Sequence, residues 1–283
     1  MTVMNKRHLH LIVCGLTALA GAVHADSFSF TTGTPDGRMG TASRPSSPGK
    51  IEIEAADDFL LSSETILNSG TFTGLLTGAT PTVGAVDIEI YRVFPLDSVN
   101  PPSGNVPTRV NSPSDVAFAT VGTIAATLSF ATTVISPVFT AANSVLNGIN
   151  KIPNQTTGGE GPVTGQEVQF AFNVTGLLDL PAGHYFFVPQ VQVTGGEFYW
   201  LSTQRTVPLF AGDLQEWIRN ANLDPDWLRV GTDIVGPTSG QTFNAAFSLN
   251  GTTVPETGST VILLGFSFLL LEIVRRARTS NCR

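Results

Sequence analysis

The sequence contains almost no cysteine. Its two cysteines, Cys14 and Cys282, stand near the two ends of the 283-residue chain. The segment 26–253 therefore has no thiol, which excludes from it a disulfide, a cysteine nucleophile and a cysteine-ligated metal. If this segment is an exported protein, it has to be stabilised by its core or by bound ions.

Histidine is equally scarce, since His184 is the one histidine in 26–253. A single imidazole excludes metal sites built on histidine pairs and most metalloprotease motifs. A Ser-His-Asp triad would have to use His184, and the sequence has no Gly-x-Ser-x-Gly motif to accompany it. Because His184 follows the turn-forming residues 181–183, we predict that it lies on a surface turn. We predict no catalytic residue and no enzymatic activity.

Positive charge is also in short supply. Of the 22 acidic and 15 basic residues of the chain, 20 acids and nine bases fall in 26–253, which gives this segment a net charge of −11. Phosphate backbones repel such a surface, so the charge argues against nucleic acid as a partner and equally against anionic lipid. Cations and neutral or basic polymers are compatible with it.

Helix-forming runs of Ala, Leu, Lys and Glu are missing from 26–253, which is rich in Thr, Ser, Gly, Pro, Val and Phe. Residues 87–94 alternate, with Ile88, Ile90 and Val93 predicted to face inward. Residues 167–174 alternate in the same way, and further strands are predicted at 51–54, 185–193, 197–201 and 242–249. Strands with one apolar and one polar face indicate antiparallel sheets, so we predict one all-β domain, 26–253, with a jelly-roll-like β-sandwich.

Two local features interrupt the predicted strands. Leu214, Trp217 and Ile218 have helical spacing after Asp213, a good N-cap residue, which predicts one short helix at 213–220. The pair Gly195-Gly196 predicts a tight hairpin between the strands on either side. Residues rich in Pro, Gly, Ser and Asn predict long loops at 31–49, 95–113 and 147–165.

The N-terminus has the pattern of a signal peptide. Lys6 and Arg7 form a basic start, and the apolar run 11–23 is too short to span a bilayer. Short side chains at positions 23 and 25 predict cleavage after Ala25. We therefore predict a signal helix in 1–25 and export through the inner membrane.

The C-terminus carries three signals in sequence. A short motif is followed by the apolar run 259–274 and then by a basic tail, 275–283. Sixteen residues give about 24 Å of helix, enough for a marginal transmembrane helix. The arginines keep the C-terminus in the cytoplasm by the positive-inside rule. The motif residues are Val254, Pro255, Glu256, Thr257 and Gly258, and the membrane-stop residues are Arg275, Arg276 and Arg278.

This arrangement resembles the PEP-CTERM family of sorting domains, which exosortases process. Val254-Pro255-Glu256 matches the Val-Pro-Glu opening of the family. Thr257 stands where the family has proline, and the following Gly-Ser-Thr makes the motif more similar to the variant Val-Pro-Asp-Ser-Gly-Ser-Thr. The resemblance implies that 259–274 anchors the chain in the inner membrane only transiently, until an exosortase acts near the motif. A sortase motif of the Leu-Pro-x-Thr-Gly type and a plain membrane anchor are the alternatives.

The stretches 53–59 and 168–174 are also similar to uncharacterised secreted β-sandwich domains that carry interchangeable anchors. This second resemblance implies a fold and a location and no activity. With the tail, it leads us to expect an exported, non-enzymatic protein of the cell surface or of an extracellular polysaccharide matrix. A carbohydrate-binding module is the alternative function, followed by a secreted hydrolase.

Two sets of side chains are candidates for binding. Paired acids with loop carbonyls suit Ca²⁺, the one cofactor considered, and the densest acids are Asp57, Asp58, Asp224 and Asp226. Large aromatics can stack on sugar rings, and the candidates are Tyr199, Trp200, Trp217 and Trp227. Since Tyr199 and Trp200 point to opposite faces of one strand, we predict that one of them is exposed. Solvated acids and core tryptophans are the simpler interpretations of these residues.

Overall fold

The computed structural model describes residues 25–100, 102–149, 156–204, 209–236 and 241–255. Ser27–Thr253 form one compact unit. The predicted signal helix and the predicted span 259–274 lie outside the described residues. Within them, no helix is long and apolar enough to cross a membrane.

The regular secondary structure of the described residues is almost entirely β-strand. In the described residues the strands are β1 (Ser27–Thr31), β2 (Pro35–Ala42), β3 (Ile53–Leu61), β4 (Thr65–Leu76), β5 (Thr82–Arg92), β6 (Ala119–Gly122), β7 (Leu128–Ala141), β8 (Asn143–Val145), β9 (Val163–Val174), β10 (Asp179–Leu180), β11 (Gly183–Thr194), β12 (Phe198–Thr203), β13 (Trp217–Asn220), β14 (Leu228–Arg229), β15 (Asn244–Ala245) and β16 (Phe247–Thr253). The predicted all-β class is confirmed.

The strands form two sheets. The larger one has ten strands and follows the order β1-β16-β4-β12-β2-β8, with β9 on β4, β7 on β9, β10 on β4 and β15 on β12. The smaller one has six strands in the order β14-β13-β3-β11-β5-β6. The ladders are antiparallel except for β2 and β8, which run parallel. Most neighbours in the sheets, such as β1 and β16 or β3 and β11, are distant in sequence, so long-range pairing holds this unit together.

The main core lies between the two sheets. Phe187 of β11 in the smaller sheet stacks on Phe247 of β16 in the larger one, with ring centroids 5.0 Å apart. Phe72 and Phe170 stack at 4.8 Å within the larger sheet. The predicted inward residues Ile88 and Ile90 are 1% exposed, and Phe170 is fully buried. The alternating pattern of β5 and β9 therefore predicted most of the inward residues correctly, because each strand has one polar side. Val93, also predicted to face inward, lies beyond the end of β5, is half-buried and packs with Tyr91 on the other face of the smaller sheet.

The predicted helix at 213–220 is wrong. Trp217–Asn220 form β13, which pairs with β3 and β14. Trp217 packs on one face of the sheet with Phe186, and Ile218 packs on the other with Met39. Because both faces are covered, apolar residues occupy adjacent positions and imitate helical spacing. In the described residues, the helical structure is the single π-helical turn Val230–Val235.

The predicted hairpin at Gly195-Gly196 is also wrong, although the turn exists. Gly195 has a φ of +76°, which suits glycine. The turn connects β11 of the smaller sheet to β12 of the larger one, so the two strands do not pair. A glycine pair indicates a reversal of the chain and carries no information about which sheet receives the next strand.

The predicted loop 31–49 contains β2, so this prediction is wrong in part. Its sequence has two glycines and no alternation, and the strand exists because β12 and β8 lie on either side of it. His184 is not on a turn either. It is the second residue of β11, and a quarter of its side chain is exposed.

Candidate functional site

The outer face of the larger sheet carries a groove of about 380 Å³. Strands β1, β16, β4, β9 and β7 lie side by side under it, and the connection between β1 and β2 forms one end. The side chains that line it include Thr31, Thr34, Thr71, Thr73, Ser248, Gln169, Glu167 and Ile135. We call this feature the groove.

The alternation of the strands makes the groove polar. On β4, Phe72 points into the core, so Thr71 and Thr73 on either side of it point outward. The ladders place Thr73 opposite Gln169 of β9 and Thr71 opposite Ser248 of β16. The hydroxyls of Thr71 and Ser248 are hydrogen-bonded at 2.8 Å. The result is a continuous row of hydroxyl and amide groups across three strands.

Glu167 is the acidic side chain of the groove. It is 7% exposed and has no hydrogen-bond or ion-pair partner among the described residues. Burial raises the pKa of its carboxyl group. Ile135, which is 54% exposed, adds an apolar edge beside it. An unpaired carboxylate surrounded by hydroxyls can accept hydrogen bonds from the hydroxyl or amino groups of a ligand.

The predicted aromatic residues do not line the groove. Tyr199 is 7% exposed, Trp200 and Trp227 are fully buried and Trp217 is 2% exposed. The prediction that either Tyr199 or Trp200 is exposed is therefore wrong. Trp200 faces the main core, and Tyr199 faces a second core cluster with Met39. These aromatic rings pack in the cores, which agrees with the interpretation as core residues and not with sugar stacking.

The predicted acids Asp57 and Asp58 are neighbours on β3, so their side chains point to opposite faces of the smaller sheet. Asp57 is fully buried and accepts a hydrogen bond from the backbone N–H of Ala245 at 2.8 Å. Asp58 lies 2.5 Å from Nε2 of His184 and accepts the N–H of Leu214 at 3.1 Å. The two carboxylates therefore do not converge on one point.

The predicted acids Asp224 and Asp226 bind arginines. Asp226 is buried and forms an ion pair with Arg109 at 2.5 Å. Asp224 pairs with Arg219 at 2.8 Å and its side chain is 56% exposed. Among the described residues, no group of three or more His, Cys, Asp or Glu is arranged to hold a metal ion.

A buried polar network beside Asp224 was not predicted from the sequence. Arg219 forms an ion pair with Glu54 and donates to the hydroxyl oxygen of Tyr91 at 2.8 Å. The Tyr91 hydroxyl is 2.7 Å from Glu54 and 2.8 Å from Glu89, so its one proton serves one of these acids at a time. Burial, followed by repulsion from Glu54, raises the pKa of Glu89 to about 8. The network is a structural feature of the smaller sheet.

The first part of the predicted sorting motif follows the last strand directly. β16 ends at Thr253, and Val254 and Pro255 are half-buried. Glu256, Thr257 and Gly258 and the arginines Arg275, Arg276 and Arg278 lie outside the described residues.

No family model, no curated protein and no solved structure matches this chain.

Proposed function

We propose that this protein is exported and acts, without enzymatic activity, at the cell surface or in an extracellular polysaccharide matrix. An exosortase would recognise the tail 254–283, which anchors the chain transiently in the inner membrane until it is processed. One observation supports this division of the chain. All sixteen described strands lie before Val254, so cleavage near the motif would remove no part of either sheet.

The groove supports polysaccharide as the matrix partner. Its hydroxyls and amides match the hydroxyl groups of a sugar polymer, and its width covers several strands. The net charge of −11 in 26–253 disfavours an acidic polymer, so the ligand would be neutral or would carry amino groups. In this proposal the jelly-roll-like body presents one face of its larger sheet to the polymer.

A hydrolase is less well supported. Glycoside hydrolysis uses two carboxyl groups on either side of the scissile bond. Glu167 is the one acidic residue among those that line the groove in the described part of the chain. A single carboxylate fits binding better than hydrolysis.

Replacement of both Pro255 and Glu256 by alanine tests the proposed sorting. We expect the variant to stay uncut in the inner membrane, because the processing enzyme requires the motif. Intact-mass analysis of inner-membrane and extracellular fractions measures this. The matched control is the double variant Thr252→Ala and Thr253→Ala, just before the motif, which should be processed normally. Processing and surface delivery of the motif variant at the normal level would refute the proposed sorting.

A further inference from the structure

Four buried oxygen atoms accept no hydrogen bond from the described residues. They are Oδ2 of Asp36, Oδ1 of Asp57, Oε2 of Glu216 and Oδ1 of Asn244. Asp57 and Glu216 are fully buried, and Asn244 is 2% exposed. A buried polar atom without a partner destabilises the folded chain by about 1–3 kcal/mol, and more if it is charged. Four such acceptors in one region call for a ligand that can satisfy them.

A chain of contacts brings these residues to one region. Asp36 accepts a hydrogen bond from Ser202 at 2.6 Å through its other oxygen. Ser202 lies opposite Ala245 in the ladder of β12 and β15. The N–H of Ala245 donates to the second oxygen of Asp57, and Asn244 is the next residue of β15.

Glu216 belongs to the same region. Thr41 donates to its Oε1, which leaves Oε2 without a donor. Burial raises the pKa of Asp57 well above its usual range, and the charges of Asp58 and Glu216 raise it further. Burial also raises the pKa of Glu216 to about 8, and the charge of Asp36 contributes to that increase. The backbone N–H of Glu216 donates to the carbonyl oxygen of Phe243 at 2.8 Å, which places Glu216 beside Asn244.

Positive charge does not compensate for these acids. In the described part of the chain, no arginine or lysine forms an ion pair with Asp36, Asp57 or Glu216. His184 is bound to Asp58, on the other face of β3 from Asp57. These acids therefore have no basic partner among the described residues, and a cation would stabilise them.

The chemistry of the four atoms selects the kind of cation. Carboxylate and amide oxygens are hard ligands, and Ca²⁺ takes six to eight of them in flexible geometry. Zinc and copper prefer imidazole and thiolate ligands, and none of the four groups is one. Mg²⁺ retains most of its waters and is less suited to a site between two packed sheets.

We propose that one Ca²⁺ ion binds between the sheets, with Asp57, Glu216 and Asn244 as direct ligands. Two carboxylates neutralise the ion, the amide oxygen adds a third ligand and water completes the coordination, with Asp36 in reach through water. The sequence predicted calcium at pairs of acids that are close together in the chain. The ligands of this site are instead 28 to 187 residues apart. The ion would connect β3 of the smaller sheet to β15 of the larger one, as a disulfide does in other exported proteins.

Calcium binding by the purified full-length chain tests this proposal. After EDTA treatment and removal of the chelator, calcium should bind with a stoichiometry of one in isothermal titration calorimetry. At a hundredfold excess over the Kd, the Tm should rise by about 5–10 °C. Unfolding curves that coincide in EDTA and in millimolar calcium, with no binding heat, would overturn the proposal. A response to magnesium and not to calcium would equally overturn it.

Two variants locate the ion. Glu216→Gln removes a charged ligand and keeps its shape, so we expect a loss of the calcium response of at least tenfold in Kd. In EDTA this variant should be at least as stable as the wild type, because one buried acid has been removed. The control is Asp224→Asn, which should keep the wild-type response. A Glu216→Gln protein that binds calcium as the wild type does would refute the assignment, and the wild-type titration decides if this variant fails to fold.

Discussion

Trp200 shows how a residue that could bind a sugar is instead used for packing. Its ring is fully buried against Phe187 and Phe247, and its Nε1 donates to the carbonyl oxygen of Ala246 at 3.0 Å. The indole therefore contributes both apolar contacts and a satisfied hydrogen bond to the main core.

We expect Trp200→Ala to lower the free energy of unfolding by about 3–5 kcal/mol, because the change leaves a large cavity in the core. Urea denaturation measures the loss. The control is Ile124→Ala, at a side chain that is 84% exposed, which should change the stability by less than about 0.5 kcal/mol. A Trp200→Ala protein with wild-type stability and weakened polysaccharide binding would point back to a stacking role.

Glu89 makes the stability depend on pH. Its pKa is about 8 in the folded chain, mainly because of burial, and about 4.5 in the unfolded chain. Between these values the folded chain holds a proton that the unfolded chain has released. The stability contributed by this group is therefore fully present below about pH 4.5 and is lost as the pH rises through 8.

We expect the wild type to lose up to about 4 kcal/mol through this group between pH 5 and pH 9, and Glu89→Gln to lose correspondingly less. Urea denaturation at the two pH values measures the difference. The exposed Glu64→Gln is the control and should follow the wild type. If Glu89→Gln and the wild type show the same pH dependence, Glu89 is ionised in the folded chain at neutral pH.

At the scale of elements, the polar residues on the outward faces of β4 and β9 are the residues that line the groove. Gln169 and Glu167 are two residues apart on β9, so both point outward into the groove. Asn173 lies further along the same strand and is exposed outside the groove. β9 therefore contains both groove residues and, in Asn173, an exposed residue outside the groove that serves as a control.

We expect Gln169→Ala and Glu167→Ala each to weaken binding to the extracellular polysaccharide of the producing cells by about tenfold, which corresponds to the loss of one hydrogen bond of about 1.4 kcal/mol. Co-sedimentation with the isolated polysaccharide measures this. Asn173→Ala should bind as the wild type does. Equal binding by all three variants would exclude the groove, and an equal loss in all three would show that the contact is not specific to it.

The elements differ in how much the sequence reveals about them. β5 and β9 were predicted because one face is apolar and the other polar, which leaves a period of two in the sequence. β13 is covered on both faces, and β2 is specified by its neighbours β8 and β12, so neither shows that period. Local composition located the turn at Gly195-Gly196, but only the packed molecule determines that the chain changes sheets there.

At the scale of the whole molecule, the sequence predicted the class of fold and core residues of β5 and β9, but of the residues that form the groove and the proposed calcium site it predicted only Asp57 as a possible ligand. The groove combines side chains from residue 31 to residue 248. The three direct ligands of the proposed calcium site come from residues 57 to 244. Acids that are adjacent in sequence, such as Asp57 and Asp58, were separated, because neighbours on a strand face opposite sides. Sites formed by long-range pairing leave no local pattern in a single sequence.

The first and last strands of the body are neighbours in the larger sheet, with Ser27 of β1 opposite Thr252 of β16. β16 also pairs with β4, so it holds β1 to the rest of the sheet. A chain that crosses a membrane N-terminus first delivers β1 at the beginning and β16 at the end. The larger sheet consequently cannot be completed until about 220 residues have followed β1 across the membrane. During that time the strands that have already crossed have unpaired edges. If the protein is exported as proposed, translocation therefore competes with aggregation until β16 has crossed and paired with β1 and β4.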